Sequence, residues 1–394
     1  MPTENEKKLD AMLTDFEKSN ATEGKNLRAL LDNTPELKQR LIDAIDKGNL
    51  EKIEPLSAQN KRDGAVGVYR ADDKTMELPL DYLKIADKDA AAANMIRITA
   101  GHEIEHAINR DGIKNTFDKL EKDILTIANG PSPHDYTQTL KTFNTESRDR
   151  EARDEMAGFN ILAAHVKREN PSATQEDLYR KLYDASPDVQ SYFDVKGKAP
   201  TQTYEPKAGI TFNDKFQVEA TKDNVEAFGK HFYDGRGYPA SYVGNVIDAI
   251  GNIENQLHGK EAKPPEVKVD LKEIGIQGQV TLPGNVIDAS PPRLGAPAPD
   301  APAPQAPAEH THGHGHTHTG DKQLDEMLNA LKDPDRLREA MRNLADSPSG
   351  QQFRQEGQMQ HQQGESQKAQ DPARAQPAQE APAQETPARK MSGM

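Results

Sequence analysis

Five consecutive residues, His102, Glu103, Ile104, Glu105 and His106, combine residue types and spacing that suit metal-assisted hydrolysis. On a helix, side chains four residues apart stand one above the other, so His102 and His106 can present two imidazole nitrogens to one ion. That is a zinc-binding pair. Glu103 stands partway round the same turn, where its carboxylate can take a proton from a water held on the metal. The competing reading is an exposed charged helix that matches the pattern by chance. Against it stands the preceding segment DKDAAAANMIRITAG, which is alanine-rich, free of helix breakers and apolar at Ala91, Met95 and Ile98 on the histidine face. The pair is therefore expected late in a buried helix.

The chain has no cysteine, so any further ligand must be a histidine or a carboxylate. Residues 146–155, ESRDREARDE, read as a solvated charged helix with internal ion pairs. Continued through MAGFNILAAHV, its helical wheel places Ala152, Met156, Phe159, Leu162 and Val166 on an apolar arc. Of the acidic residues only Glu151 and Glu155 fall toward that arc; Glu146, Asp149 and Asp154 point elsewhere. A carboxylate on a buried face is costly unless paired or metal-bound, and a zinc ion lacking a third ligand removes the cost. Gly158, on the same face, would let this helix approach the histidine helix closely.

The 102–106 segment resembles the active-site helix of the zincin metallopeptidases, and SRDRE followed by Glu155 resembles the third-ligand helix of the gluzincins. The resemblance spans roughly residues 65–165. It implies that His102 and His106 bind Zn2+ with Glu103 as general base, that Glu151 is the third ligand, and that Glu155 hydrogen-bonds a ligand histidine. The family more often has aspartate at the last of these places and alanine before it, so the roles of Glu151 and Glu155 can be exchanged here. Glu105 is charged where the usual pattern is not, and is expected to face solvent or an arginine. Residues 65–70 and 75–80 read as a hairpin turning at Asp72 and Asp73, with Pro79 suited to an edge position. By resemblance, such an edge strand lines the cleft and pairs with an extended peptide substrate through strand addition. A donor to the tetrahedral oxyanion is also implied, for which His231, Tyr233, Tyr238 and Tyr242 are candidates; the alternative is that these rings pack a second subdomain. In the 130–136 loop, His134 or Tyr136 could serve instead, although a surface histidine is the commoner case. His231 and Tyr136 are carried forward as catalytic candidates beside Glu103.

The expected fold is α+β and mainly helical: a zincin-like catalytic domain with a β-hairpin or edge strand before the 102–106 helix, and a disordered C-terminal region. Residues 1–60 read as an N-terminal helical segment, with Leu9, Met12, Leu13 and Phe16 on one face. Thr34 and Pro35 open a further helix there, with Leu37, Leu41, Ile42 and Ile45 inward. The metallopeptidase core occupies 61–200, and a second α/β subdomain closing the cleft occupies 201–290. Within the core, a turn at Asp111 and Gly112 precedes a helix over 117–127. A proline-rich and histidine-rich linker follows at 291–320, with His310, His312, His314, His316 and His318 alternating with small residues. A short helical pair at 321–346 and a disordered Gln/Ala/Pro-rich tail at 347–394 complete the chain.

Only 34% of the 394 residues are hydrophobic and mean hydropathy is -0.88, in keeping with a long unpacked tail. The net charge of -14 argues against nucleic acid as a partner. No apolar window reaches the length of a membrane span, and the N-terminus does not read as a signal peptide, so the expected site of synthesis is the cytoplasm. A catalytic unit followed by a proline-rich linker and a glutamine-rich tail is similar in layout to bacterial secretion-system effectors, which implies a signal-independent export route through secretion machinery. The expected function is hydrolysis of a peptide or protein substrate by zinc-activated water. Its rivals are a zinc-binding protein without catalysis, a metal-free helical adaptor, and a zinc amidase acting on peptidoglycan peptides.

Overall fold

The computed structural model describes residues 2–62, 65–276 and 280–291, so the expectations for the His-rich linker, the 321–346 helical pair and the tail lie outside the described residues. Three amphipathic helices come first: α1 (Glu4–Ser19), α2 (Ala21–Asp32) and α3 (Pro35–Asp46). Thr3 and Glu6 form a reciprocal capping box at the start of α1. Thr34 is the N-cap residue of α3 and Pro35 opens the helix, as the sequence indicates, but the Thr34 side chain makes no cap bond; its Oγ1 accepts from Arg97 Nε at 2.9 Å instead. A buried guanidinium needs that acceptor more than an exposed helix end does. Leu9, Phe16, Leu37 and Leu41 bury their faces in a core shared with Ile96, Ala100 and Ile104, so the N-terminal helices support the segment that carries the histidines.

Next come β1 (Lys52–Pro55), α4 (Ala58–Arg62), β2 (Val68–Arg70) and β3 (Thr75–Leu78). β2 and β3 form an antiparallel hairpin with Tyr69 opposite Met76, while β1 runs parallel to β3 on its far side. β3 is therefore central and β2 is an edge. Pro79 lies past the strand, at the start of α5 (Leu80–Ile85).

α6 (Ala90–Ile108) starts where Asp89 Oδ1 accepts the amides of Ala91 and Ala92 at 2.8 and 3.2 Å. Ala91 is exposed, but Asn94, Ile96, Arg97, Ile98 and Ala100 are buried, so the helix is enclosed on several faces rather than one. It ends at Asn109, and α7 (Arg110–Ala128) begins at once. The expected turn at Asp111 and Gly112 is thus the first turn of α7, and the helix begins well before residue 117.

β4 (His134–Asp135) leads into α8 (Thr137–Glu169), a 33-residue helix that forms the spine of the molecule. Leu140 and Phe143 near its start pack with Phe117 and Ile124 of α7. Met156, Phe159, Leu162 and Val166 nearer its end enter another core. That core gathers α9 (Gln175–Ala185), α10 (Pro187–Gln190), the hairpin of β5 (Phe193–Lys196) and β6 (Thr203–Pro206), a bridge between Phe212 and Val218, and α11 (Lys222–Phe228). A π-helix, Gly229–Asp234, leads on to α12 (Tyr238–His258), β7 (Val267–Val269), α13 (Leu271–Ile274) and β8 (Val286–Asp288). α12 and β7 return to the first half of α8, with β4, β7 and β8 in one parallel sheet. Residues 201–290 are thereby divided between the two cores. The architecture is mainly helical α+β, and among the described residues no helix is long and apolar enough to cross a membrane.

One packing detail gives a pH signature. His165 of α8 accepts at Nδ1 from Arg168 at 3.4 Å; burial, then the charge of Arg97, lowers its pKa to about 4. From pH 6.5 down to 4 the unfolded chain holds a proton there that the folded chain rejects, so stability falls as pH falls through that window. Melting curves of the chain and of His165→Gln are expected to diverge between those values, with the variant falling less; parallel curves would refute the assignment.

Candidate metal centre and cleft

α6 and α8 cross at two glycines. A Cβ on Gly101 would lie 2.8 Å from Gly158 Cα, and one on Gly158 would lie 2.4 Å from the Ile98 carbonyl oxygen and 3.3 Å from the His102 nitrogen. The backbones therefore approach as no larger residues would permit. Glu151 precedes Gly158 by two helical turns on the same face, which sets it opposite the two histidines.

There the ligand atoms converge. His102 Nε2 and His106 Nε2 are 3.1 Å apart, and Glu151 Oε2 lies 3.6 Å from the first and 3.9 Å from the second. Each ring is oriented from behind by an acid: Glu155 Oε2 is 3.3 Å from His102 Nδ1, and Asp154 Oδ2 is 3.0 Å from His106 Nδ1. Tyr192 donates its hydroxyl to Glu155 Oε1 at 3.0 Å, and Tyr242 donates to Glu151 Oε1 at 2.9 Å. Glu155 thus meets the Nδ1 side of His102 and Asp154 lies against that of His106, while both Nε2 atoms and a carboxylate oxygen face one point, a set that could hold a metal ion. Tetrahedral zinc with bonds of about 2.0–2.2 Å holds its ligand atoms about 3.3–3.6 Å apart. The observed separations bracket that range, so the donor set fits zinc.

The electrostatics have the same origin. Burial opposes charge on His102, but hydrogen bonds to Glu151 and Glu155 outweigh it and raise its pKa well above the ordinary value. Burial likewise opposes ionisation of Glu151, yet His106, His102 and Arg150 hold its pKa far below the usual carboxylate range. The ionised Glu151 carboxylate is in the state that a metal ligand needs, whereas the raised pKa of His102 means that a divalent metal must displace a proton from this ring on binding.

Glu103 faces the neighbouring cleft of about 210 Å3, whose wall includes Gly67, His102, Phe232, Arg236 and Tyr238. The Tyr69 amide donates to Glu103 Oε2 at 2.8 Å, joining edge strand β2 to α6. Gly67 allows this approach, since a Cβ there would lie 2.3 Å from Thr99 Cγ2 and 3.1 Å from Glu103 Cγ. Glu105 pairs with Arg40 and accepts from Asn109 Nδ2 at 3.0 Å. A larger groove of about 620 Å3 between α3 and α8 contains none of the candidate centre's residues.

The remaining candidates separate clearly. Tyr136 is buried in the core of α7 and α12, with its hydroxyl donated to Glu254, so it stands apart from the cleft rather than stabilising an oxyanion there. His134 is buried beside it, 2.8 Å from Glu254 Oε1, and is no surface histidine. With His258 these form the second of two His/Glu clusters among the described residues whose ligand atoms lie within 4.8 Å of one another. Its ring nitrogens each face an oxygen at hydrogen-bonding distance: Glu254 and Gly130 for His134, Glu261 and Ala128 for His258. That cluster is a hydrogen-bonded clasp. His231 is directed to the Tyr192 ring, 6.4 Å between centroids, and takes no part in the cleft wall. Tyr233 donates to Asn144 at 3.1 Å. Tyr238 does line the cleft, and burial raises its pKa, which keeps its hydroxyl a proton donor.

Asp154, Tyr192 and Arg236 are the residues that sequence reasoning missed. The helical wheel turned Asp154 away from the apolar arc, yet it is fully buried against His106, because α8 is covered on more sides than that arc. A carboxylate four residues before Gly158 on a helix already suspected of holding ligands was the available signal. Tyr192 and Arg236 had none. No protein family, curated protein or solved structure matches this chain.

Proposed function

We propose that this chain is a zinc-dependent peptidase whose metal is held by His102 Nε2, His106 Nε2 and Glu151. The observation that carries this reading is the convergence of two Nε2 atoms and one ionised carboxylate next to a cleft whose wall holds His102 and Glu103. Zinc in such a three-ligand site supplies a water that ionises near neutral pH and a Lewis acid for the scissile carbonyl. Glu103 takes the proton of the attacking water and delivers it to the leaving amine. Tyr69 N–H fixes Oε2 of that base, leaving Oε1 for the transfer. Tyr238, the one suspected aromatic donor in the cleft wall, hydrogen-bonds the developing oxyanion. Glu155 and Asp154 keep the two rings turned toward the metal, and Tyr242 holds Glu151 in place. An extended peptide adds to edge strand β2, which brings its backbone past Glu103.

Metal analysis tests the reading at its base. The full chain and its His106→Ala variant, purified and loaded with zinc in parallel, are expected to differ by about one zinc per chain. Using the difference cancels any ions taken up by the His-rich tract. Equal zinc contents would sink the proposal and leave a helical interaction protein.

A further inference from the structure

We infer that Arg236 selects the substrate by binding a substrate carboxylate in the cleft beside the metal centre, an inference that rests on the peptidase reading. Arg236 follows the π-helix, and its guanidinium carbon stands 4.7 Å over the Phe232 ring, which fixes the plane of the cation. Its nearest acid, Asp188, lies 3.6 Å from one terminal nitrogen, beyond hydrogen-bonding distance. Arg148 and Arg70 show what a fully engaged arginine looks like here: Arg148 donates to Asp234 and Glu226, and Arg70 to Glu54, Asp73 and Glu77. Among the described residues nothing accepts a hydrogen bond from the Arg236 guanidinium, and its side chain is 43% exposed in the wall that also carries His102 and Glu103.

A planar, anchored cation with open donors suits a bidentate carboxylate better than any neutral group. The other charged groups of that wall sharpen the choice. Glu103, Glu155 and Asp188 are acidic, so apart from the metal ligand His102 the wall offers an anionic group one cation, Arg236, and a carboxylate held there sets the register of the chain. The carboxylate can come from an aspartate or glutamate side chain or from a free C-terminus; the chemistry at Arg236 is the same.

Binding separates these sources without any need for turnover. The full chain carrying Glu103→Gln, loaded with zinc, is titrated calorimetrically with three peptides: acetyl-Ala-Ala-Glu-Ala-amide, acetyl-Ala-Ala-Gln-Ala with a free C-terminus, and acetyl-Ala-Ala-Gln-Ala-amide. One acid-bearing peptide is expected to bind roughly 10- to 100-fold more tightly than the neutral one, and its identity names the source. Adding Arg236→Met should abolish the preference while zinc content stays unchanged. Should that variant fail to fold, Arg236→Lys takes its place, with the preference expected to fall at least severalfold because the fork is lost. Equal binding of all three peptides, or a preference that survives either substitution, would overturn the inference. Zinc content measured on the same samples keeps this failure apart from failure of the metal centre itself.

Discussion

Glu103→Gln is expected to lower peptide hydrolysis roughly 100- to 10,000-fold while leaving zinc content and melting temperature nearly unchanged. The reason is a division of labour within one turn of α6. In the proposed centre His102 and His106 contribute ligand atoms, whereas Glu103 contributes none and turns instead to the cleft and to β2. Glutamine keeps the size of the side chain and a carbonyl oxygen that can accept the Tyr69 amide, now 2.8 Å from the carboxylate. What it lacks is the capacity to take a proton from water and return it to an amine. Alanine at the same position would be a poorer test, because it would also release the edge strand on which the proposed substrate pairing depends. Single-turnover hydrolysis of a peptide library, read by mass spectrometry with zinc measured on the same protein, decides the matter. An unchanged rate would remove Glu103 from the chemistry; loss of zinc would instead make it part of the metal's support.

The placement of these residues was legible because helical periodicity is rigid. His102, Glu103 and His106 follow from spacing alone, and Glu151 follows from the requirement that a buried carboxylate have a partner. Asp154 departs from that periodicity. Its wheel position was judged against one apolar arc, but α8 is enclosed by α6, by the core around Phe159 and by α12, so polar residues off the arc are buried as well. The π-helix at Gly229–Asp234 hid the rest of the cleft. One extra residue per turn changes which side chains face inward, so Phe232 and Arg236 reach the cleft and His231 does not. Parallel pairing of β1 with β3, and of β4 with β7 and β8, joins segments far apart in the chain through short strands that carry almost no pattern. Tyr136 lay near the site in sequence only; α7 carries the chain to the start of α8, about four turns before Glu151.

Gly158→Ala tests whether the helix crossing holds the centre together. On propensity alone, alanine inside a helix is favoured over glycine by about 1 kcal/mol, so an uncrowded glycine should be stabilised by the change. Gly112 in the first turn of α7 is such a position, with nothing within 4 Å of its added Cβ, and Gly112→Ala is expected to raise the melting temperature slightly. At Gly158 the same methyl would stand 2.4 Å from the Ile98 carbonyl oxygen, a backbone atom that cannot swing aside. Relief requires the two helices to separate, at a cost of typically about 1–3 kcal/mol, so the sign reverses. Separation also carries Glu151, Asp154 and Glu155 away from His102 and His106, because all three acids ride on the helix that is displaced. Zinc affinity, measured by competition with a chelator, should therefore fall at least tenfold in Gly158→Ala and stay constant in Gly112→Ala. If Gly158→Ala melts no lower than the parent chain and binds zinc as tightly, the close crossing of α6 and α8 is not what assembles the ligands.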